Sequence, residues 1–201
     1  MPDAILIATG PSLTVADVEL ARSCSSSHIM VVNDAFRIAP DADLLYACDD
    51  EWWHRYHAEV MATTFDGALW TTSDQAAAKY GLHHVPGKNH EAQDGVLFDV
   101  SGKGITYGGN SGFQLINLAF MLGHRSLVLL GYDMGYDAGT PKHFFGEHPQ
   151  ALEKPSPYPK WIHHFNQAAP VMKAAGMRVV NASRKTRLEC FPRKTIDEVL
   201  G

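Results

Sequence analysis

Acidic and amide residues recur in this sequence where short apolar runs end. Asn33 and Asp34 follow Ile29-Met30-Val31-Val32, Asp49 and Asp50 follow Leu44-Leu45-Tyr46-Ala47-Cys48, and Asp133 follows Ser126-Leu127-Val128-Leu129-Leu130-Gly131-Tyr132. Such residues can hydrogen-bond a ribose or base, or hold a Mg²⁺ bridged to phosphates, an ion that needs only one or two carboxylates. They can equally satisfy a local turn or cap a helix, as Asp50 would before Glu51-Trp52. A second chemistry is anion binding. Gly108-Gly109-Asn110-Ser111-Gly112 can take positive φ and bring bare backbone N–H groups to a helix start, where partial positive charge favours a phosphate or carboxylate. Thr9-Gly10-Pro11-Ser12 is another Gly-containing turn, although it is neither GxGxxG nor GxxxxGK[ST]. A third is proton transfer: His143, His148, His163 and His164 carry groups that titrate near neutrality, and each is also an ordinary surface or packing residue. Their spacing is not HExxH, which argues against zinc, so no metal is assigned to them. Trp52, Trp53 and Trp70 can stack on a base or fill a core.

Positioning these residues together requires a particular scaffold. Apolar runs at 4–8, 29–32, 43–48, 68–71, 126–130 and 177–180 have strand length, and the run at 126–130 suits a strand covered on both faces of a parallel sheet. Between them lie helical signals. Ser12 or Thr14 can cap a first helix, Ser73 or Asp74 a short Ala-rich one, and Asn110 or Ser111 a helix in which Leu115, Leu118, Ala119 and Leu122 form an apolar stripe closed by Gly123. A helix over 160–175 would bury Phe165, Ala168 and Met172, and Thr195 opens a last helix over 195–200. The expected fold is α/β: a single Rossmann-like domain with a mostly parallel sheet and helices on both faces. Its ligand cleft should run along the carboxyl ends of the strands. The irregular stretches 87–107 and 134–158 are long enough to be a lid.

Composition narrows the class. The 201 residues, 45% hydrophobic, suit one sizeable domain. A net charge of −5 argues against general nucleic-acid binding. Cys24, Cys48 and Cys190 are an odd number without CxxC spacing and read as reduced thiols. No apolar run approaches the ~20 residues that span a bilayer, and no leader-like segment opens the chain, so a cytoplasmic protein is expected.

Several of these pieces together resemble one group of proteins. Thr9-Gly10-Pro11-Ser12-Leu13 resembles the G-N-G-P-S-L turn of bacterial lipooligosaccharide sialyltransferases and of related proteins that include the 6-hydroxymethylpterin pyrophosphokinases. Val32-Asn33-Asp34, Gly109 to Gly112, Leu129 to Asp133, and Val180 to Ser183 with Phe191 look like the group's later motifs, in the same order along the chain. The sequence also looks like short proteins encoded in phage and prophage genomes, which would imply host cytoplasm. The resemblance implies a Rossmann-like nucleotide-binding domain. Its sialyltransferase branch implies a CMP-activated sugar held without metal by Gly10, Pro11, Ser12, Asn33, Ser111 and Gly112, with His163 or His164 as base. Thr9 stands where those enzymes have Asn. The pyrophosphokinase branch implies ATP and Mg²⁺, to which Asp49, Asp50 and Asp133 are better suited. The expected partners are thus a nucleotide or nucleotide-sugar donor and a small-molecule or glycan acceptor, with a homo-oligomer possible. A non-catalytic nucleotide-binding or phage assembly protein is the alternative outside enzymes.

Overall fold

In the computed structural model of the chain, residues 1–88, 98–146 and 156–201 are described. The strands are β1 (Ala4–Ile7), β2 (His28–Val32), β3 (Leu44–Tyr46), β4 (Ala68–Thr71), β5 (His83–His84), β6 (Gly87–Lys88), β7 (Ile105–Thr106), β8 (Ser126–Leu130) and β9 (Arg178–Asn181). The helices are α1 (Val15–Ser23), α2 (Asp50–Ala62), α3 (Asp74–Tyr80), α4 (Ser111–Met121), α5 (Tyr158–Ala174) and α6 (Ile196–Leu200).

Alternation within the strands sorts side chains into two cores. Ala4, Leu6 and Ala8 pack with Met30, Val32, Leu127 and Leu129 against α4 and α5 on one face. Ile5 and Ile7 pack with Val31, Leu45, Val128 and Leu130 against α1, α2 and α6 on the other. Strands that must be apolar on both faces read as unbroken runs, which is why β1, β2 and β8 were legible. The seven main strands run β5-β4-β3-β2-β1-β8-β9 and every pairing is parallel. Ile7 lies between Val31 and Leu130, so β1 and β8 are neighbours although far apart in sequence. The chain winds outward from β1 to β5, then returns to the opposite side of β1. That reversal makes the β1–β8 crevice the topological switch point, where open α/β sheets hold ligands.

The caps follow residue chemistry. Thr14 forms a capping box with Asp17, Ser73 accepts from Ala76 N–H, Asn110 accepts from Phe113 N–H, and Thr195 forms a second box with Glu198. Asp50 departs from the cap reading: it is the first residue of α2, Asp49 holds the cap position, and no side chain caps that helix.

Other elements differ from expectation for identifiable reasons. α4 was expected to be amphipathic, yet residues 112–120 are all buried, because α5 and the Phe98 and Ile105 side chains cover the face turned from the sheet. Leu122, placed in its apolar stripe, is 40% exposed just beyond the helix. The stretch read as irregular from His83 holds β5 on the sheet edge and the parallel pair β6–β7; two-residue strands carry no periodicity to read. Much of the supposed lid, at 89–97 and 147–155 and including His148, lies outside the described residues. Among the described residues no helix is long and apolar enough to cross a membrane.

Candidate functional site

At the switch point the turn after β1 meets the turn after β8 at backbone distance. Gly10 N–H donates to Gly131 O at 2.9 Å, and Gly131 takes φ +70°. A Cβ on Gly10 would lie 2.3 Å from Asp133 Oδ1 and 2.5 Å from Gly131 O, so no side chain fits there. Asp133 then closes the junction: its Oδ2 accepts from Ser12 N–H at 2.8 Å and its Oδ1 from Ser12 Oγ at 2.9 Å. Burial pushes the Asp133 carboxyl up to about 6, against the lowering effect of the Ser12 hydrogen bonds and of Lys185.

Around this junction opens a cleft of about 750 Å³, within the range that takes a small molecule. Thr9, Gly10, Pro11, Asn33, Asp49, Asn110, Ser111, Gly112, Asp133 and His143 all line it. Ser12, expected among the nucleotide contacts, does not line it; its hydroxyl and N–H are committed to Asp133.

Two adjacent acidic or amide pairs are each split. Asn33 takes φ +47°, a conformation that non-glycine residues seldom adopt, and lines the cleft. Its Nδ2 lies 3.5 Å from Ser111 Oγ, while its Oδ1 is buried without any hydrogen-bond partner. Asp34, expected beside it as a ligand contact, turns into the opposite core, where it is fully buried. There it accepts from Trp52 Nε1 at 3.1 Å and pairs with Arg37. Asp49 lines the cleft, but Asp50 accepts from Ser73 Oγ at 3.3 Å and lies 3.2 Å from His54 Nδ1. The two carboxylates proposed for Mg²⁺ are therefore not presented together. Among the described residues no group of three or more His, Cys, Asp or Glu side chains could hold a metal ion.

The Gly-rich turn before α4 depends on left-handed backbone. Gly108 and Gly109 take φ +55° and +72°, Asn110 caps Phe113 N–H at 3.0 Å, and Ser111 and Gly112 bring the first N–H groups of the helix to the cleft wall. Those groups have no acceptor within the helix itself.

The histidines separate cleanly. His164 is buried, and its Nδ1 lies 2.7 Å from Gly108 O, so it supports the Gly turn rather than facing the cleft. His163 is exposed and does not line the cleft. Neither of the two histidines that the resemblance implied as base lines the cleft. Among the described residues His143 is the histidine on the cleft wall, with Nδ1 3.1 Å from Thr9 Oγ1.

Several lining residues were missed. Gln114 links the wall to the sheet, donating to Tyr107 O at 2.8 Å and accepting from Tyr46 OH at 2.5 Å. A lone Gln three residues after Ser111 in an apolar helix was the available signal. Cys48 lies 3.6 Å from Ser111 Oγ, and burial pushes its thiol up to about 12, so it is a packing group rather than a nucleophile. Tyr107, Tyr158, Trp161, Lys142 and Lys160 complete the far wall. Trp52 and Trp53 are core residues instead, and Trp70 stacks on His83. No protein-family model matches the chain, and no curated protein does.

Proposed function

We propose that this chain is a nucleotide-dependent transferase that moves a glycosyl group from a nucleotide-activated sugar of the CMP type to a hydroxyl of a small-molecule or glycan acceptor. The observation that carries the reading is the unpartnered, buried Oδ1 of Asn33, a residue that lines the cleft. Native proteins rarely leave such an atom unpaired, and Asn33 holds it there in a strained conformation. A ligand N–H or O–H, such as the amino group of cytosine or a ribose hydroxyl, supplies the missing donor. The sugar phosphate then lies against the Ser111 and Gly112 N–H groups. As the bond from the anomeric carbon to the phosphate oxygen breaks, its electron pair leaves with the phosphate, which those N–H groups stabilise. The acceptor oxygen forms the new bond to the same carbon, and its proton passes to His143.

One observation favours the Mg²⁺-dependent pyrophosphokinase alternative: Asp49 and Asp133 line the same cleft. The donor set does not fit it. Both Asp133 oxygens already accept from Ser12 N–H and Oγ, and Asp50, the neighbour of Asp49, is held by Ser73. A thermal-shift screen with CMP, CDP, UDP, GDP and ATP, each in Mg²⁺ and in EDTA, separates the readings. A ligand at 100 times its Kd adds about 2.7 kcal/mol, a shift of a few degrees. The transferase reading expects a pyrimidine nucleotide to give that shift in EDTA. An ATP shift that requires Mg²⁺ would favour the pyrophosphokinase, and no shift with any nucleotide would remove both.

A further inference from the structure

Strand order gives the cleft two chemically different ends. Asn33, Asp49 and Ser73 come from the ends of β2, β3 and β4, whereas Asp133, Met134 and Gly135 follow β8 on the opposite side of β1. The first end offers amide, carboxylate and hydroxyl groups. The second is walled by rings. Tyr158 and Trp161 line the cleft from the first turn of α5, three residues apart and so on one face of that helix. Tyr136, beyond β8, meets the Tyr158 ring edge to face at 6.0 Å between centroids. Burial raises the Tyr158 hydroxyl above its usual range, and Asp133 and Lys142 are among the charges that act on it, which places it at the β8 end.

Trp161 carries the wall toward α4. Its ring meets that of Tyr158 edge to face, 5.3 Å between centroids and 87° between planes. Its Nε1 lies 3.3 Å from the point a Cβ on Gly109 would occupy, so the indole rests over the Gly turn that leads into the first N–H groups of α4. Both rings pack on the core between α4 and the sheet, and both remain half-exposed. Rings held in this way give contact area at little entropic cost. A base needs its polar edge read, and the groups suited to that lie at the other end of the cleft. A pyranose fits the ring wall: its C–H face carries partial positive charge that an aromatic face attracts, and its hydroxyls form a rim that the Tyr158 hydroxyl and the Lys160 ammonium can meet. We propose that the Tyr158 and Trp161 corner is the acceptor subsite, and that the acceptor is a pyranose stacked there with one hydroxyl turned toward the start of α4. The inference rests on the transferase reading above, which puts the sugar phosphate at Ser111 and Gly112.

The probes are methyl glucopyranoside and methyl galactopyranoside, with glucitol as a control that has the hydroxyls but no ring. Each is titrated into the full chain with and without CMP, and tryptophan fluorescence is read. Trp52 and Trp53 are buried and Trp70 stacks on His83, which leaves Trp161 to respond. The expected result is a saturable change with at least one pyranoside and none with glucitol. No saturable change with either pyranoside, or an equal response to glucitol, overturns the proposal without any variant. In Trp161→Leu the calorimetric Kd of the bound pyranoside should be about tenfold weaker while CMP affinity is unchanged, and undiminished pyranoside affinity in the folded variant overturns the proposal too. Turnover of CMP-sialic acid with the same pyranoside separates the two readings. Binding at Trp161 without transfer counts against the transferase and keeps the subsite, whereas transfer at an unchanged acceptor KM in Trp161→Leu keeps the transferase and removes the subsite.

Discussion

Two sets of polar residues that border the cleft are chemically alike and structurally opposite. In the 9–12 turn the polar groups are used internally: Gly10 N–H bonds Gly131 O, and Ser12 N–H and Oγ bond Asp133. Across the cleft, the end of β2 and the start of α4 leave groups unsatisfied, with Asn33 Oδ1 unpartnered and the first N–H groups of the helix turned to the wall. A polar strand end therefore does not by itself mark a ligand contact. In the proposed reading the ligand contact lies where the protein leaves a buried polar atom unpaired, and the satisfied groups hold the fold.

Breaking the satisfied side should cost stability and leave binding intact. The largest effect is expected from Asp34→Asn, which leaves Arg37 without its fully buried partner and weakens the bond to Trp52 Nε1. Denaturant unfolding should show a loss of about 3 kcal/mol, with nucleotide affinity unchanged in the folded variant. Next comes the pH response of Asp133. Its folded pKa is raised from 3.8 to about 6, so its stabilising contribution is complete below 3.8 and disappears as pH rises through 6. Between pH 3.5 and 7 the stability of the wild type relative to Asp133→Asn should fall by about 3 kcal/mol, since a tenfold change in proton affinity on folding is worth about 1.4 kcal/mol. An equal pH dependence in both proteins would show that the carboxyl is not desolvated. Gly10→Ala should cost about 2 kcal/mol by driving a methyl group into Asp133 and Gly131 O, read as a lower denaturation midpoint at unchanged slope. The smallest effect belongs to the unsatisfied side and has the opposite sign. Asn33→Gly relieves the φ +47° strain and removes the unpaired oxygen, gains that exceed the added freedom of glycine in the unfolded chain, and should stabilise the free protein by about 1 kcal/mol.

Much of the fold was legible because the physics behind it is local. β8 has the limits that the run 126–130 set, and Thr14, Ser73, Asn110 and Thr195 cap helices as their side chains dictate. The cleft edge was legible too, since polar groups at consecutive strand ends line one side of a parallel sheet. Which member of each polar pair lines the cleft was not. Asn33 and Asp34 are chain neighbours in a 3-10 turn after β2, and Asn33 lines the cleft while Asp34 is buried against Trp52; at the start of α2 Asp49 lines the cleft while Asp50 is held by Ser73 and His54. The cleft histidine was harder still. His143 reaches Thr9 across 134 residues of sequence, from a stretch without periodicity, whereas the adjacent His163 and His164 offered a helix and a resemblance and yet line no part of the cleft. Nothing local in a sequence encodes a contact of that kind.

The most direct measurement is calorimetric binding of CMP in EDTA to the wild type and to Asn33→Gly. The account predicts metal-independent binding by the wild type and a Kd at least tenfold weaker in Asn33→Gly, about 1.4 kcal/mol, although that variant is the more stable protein. Equal affinity in the two proteins, or binding that appears only with Mg²⁺, would contradict it.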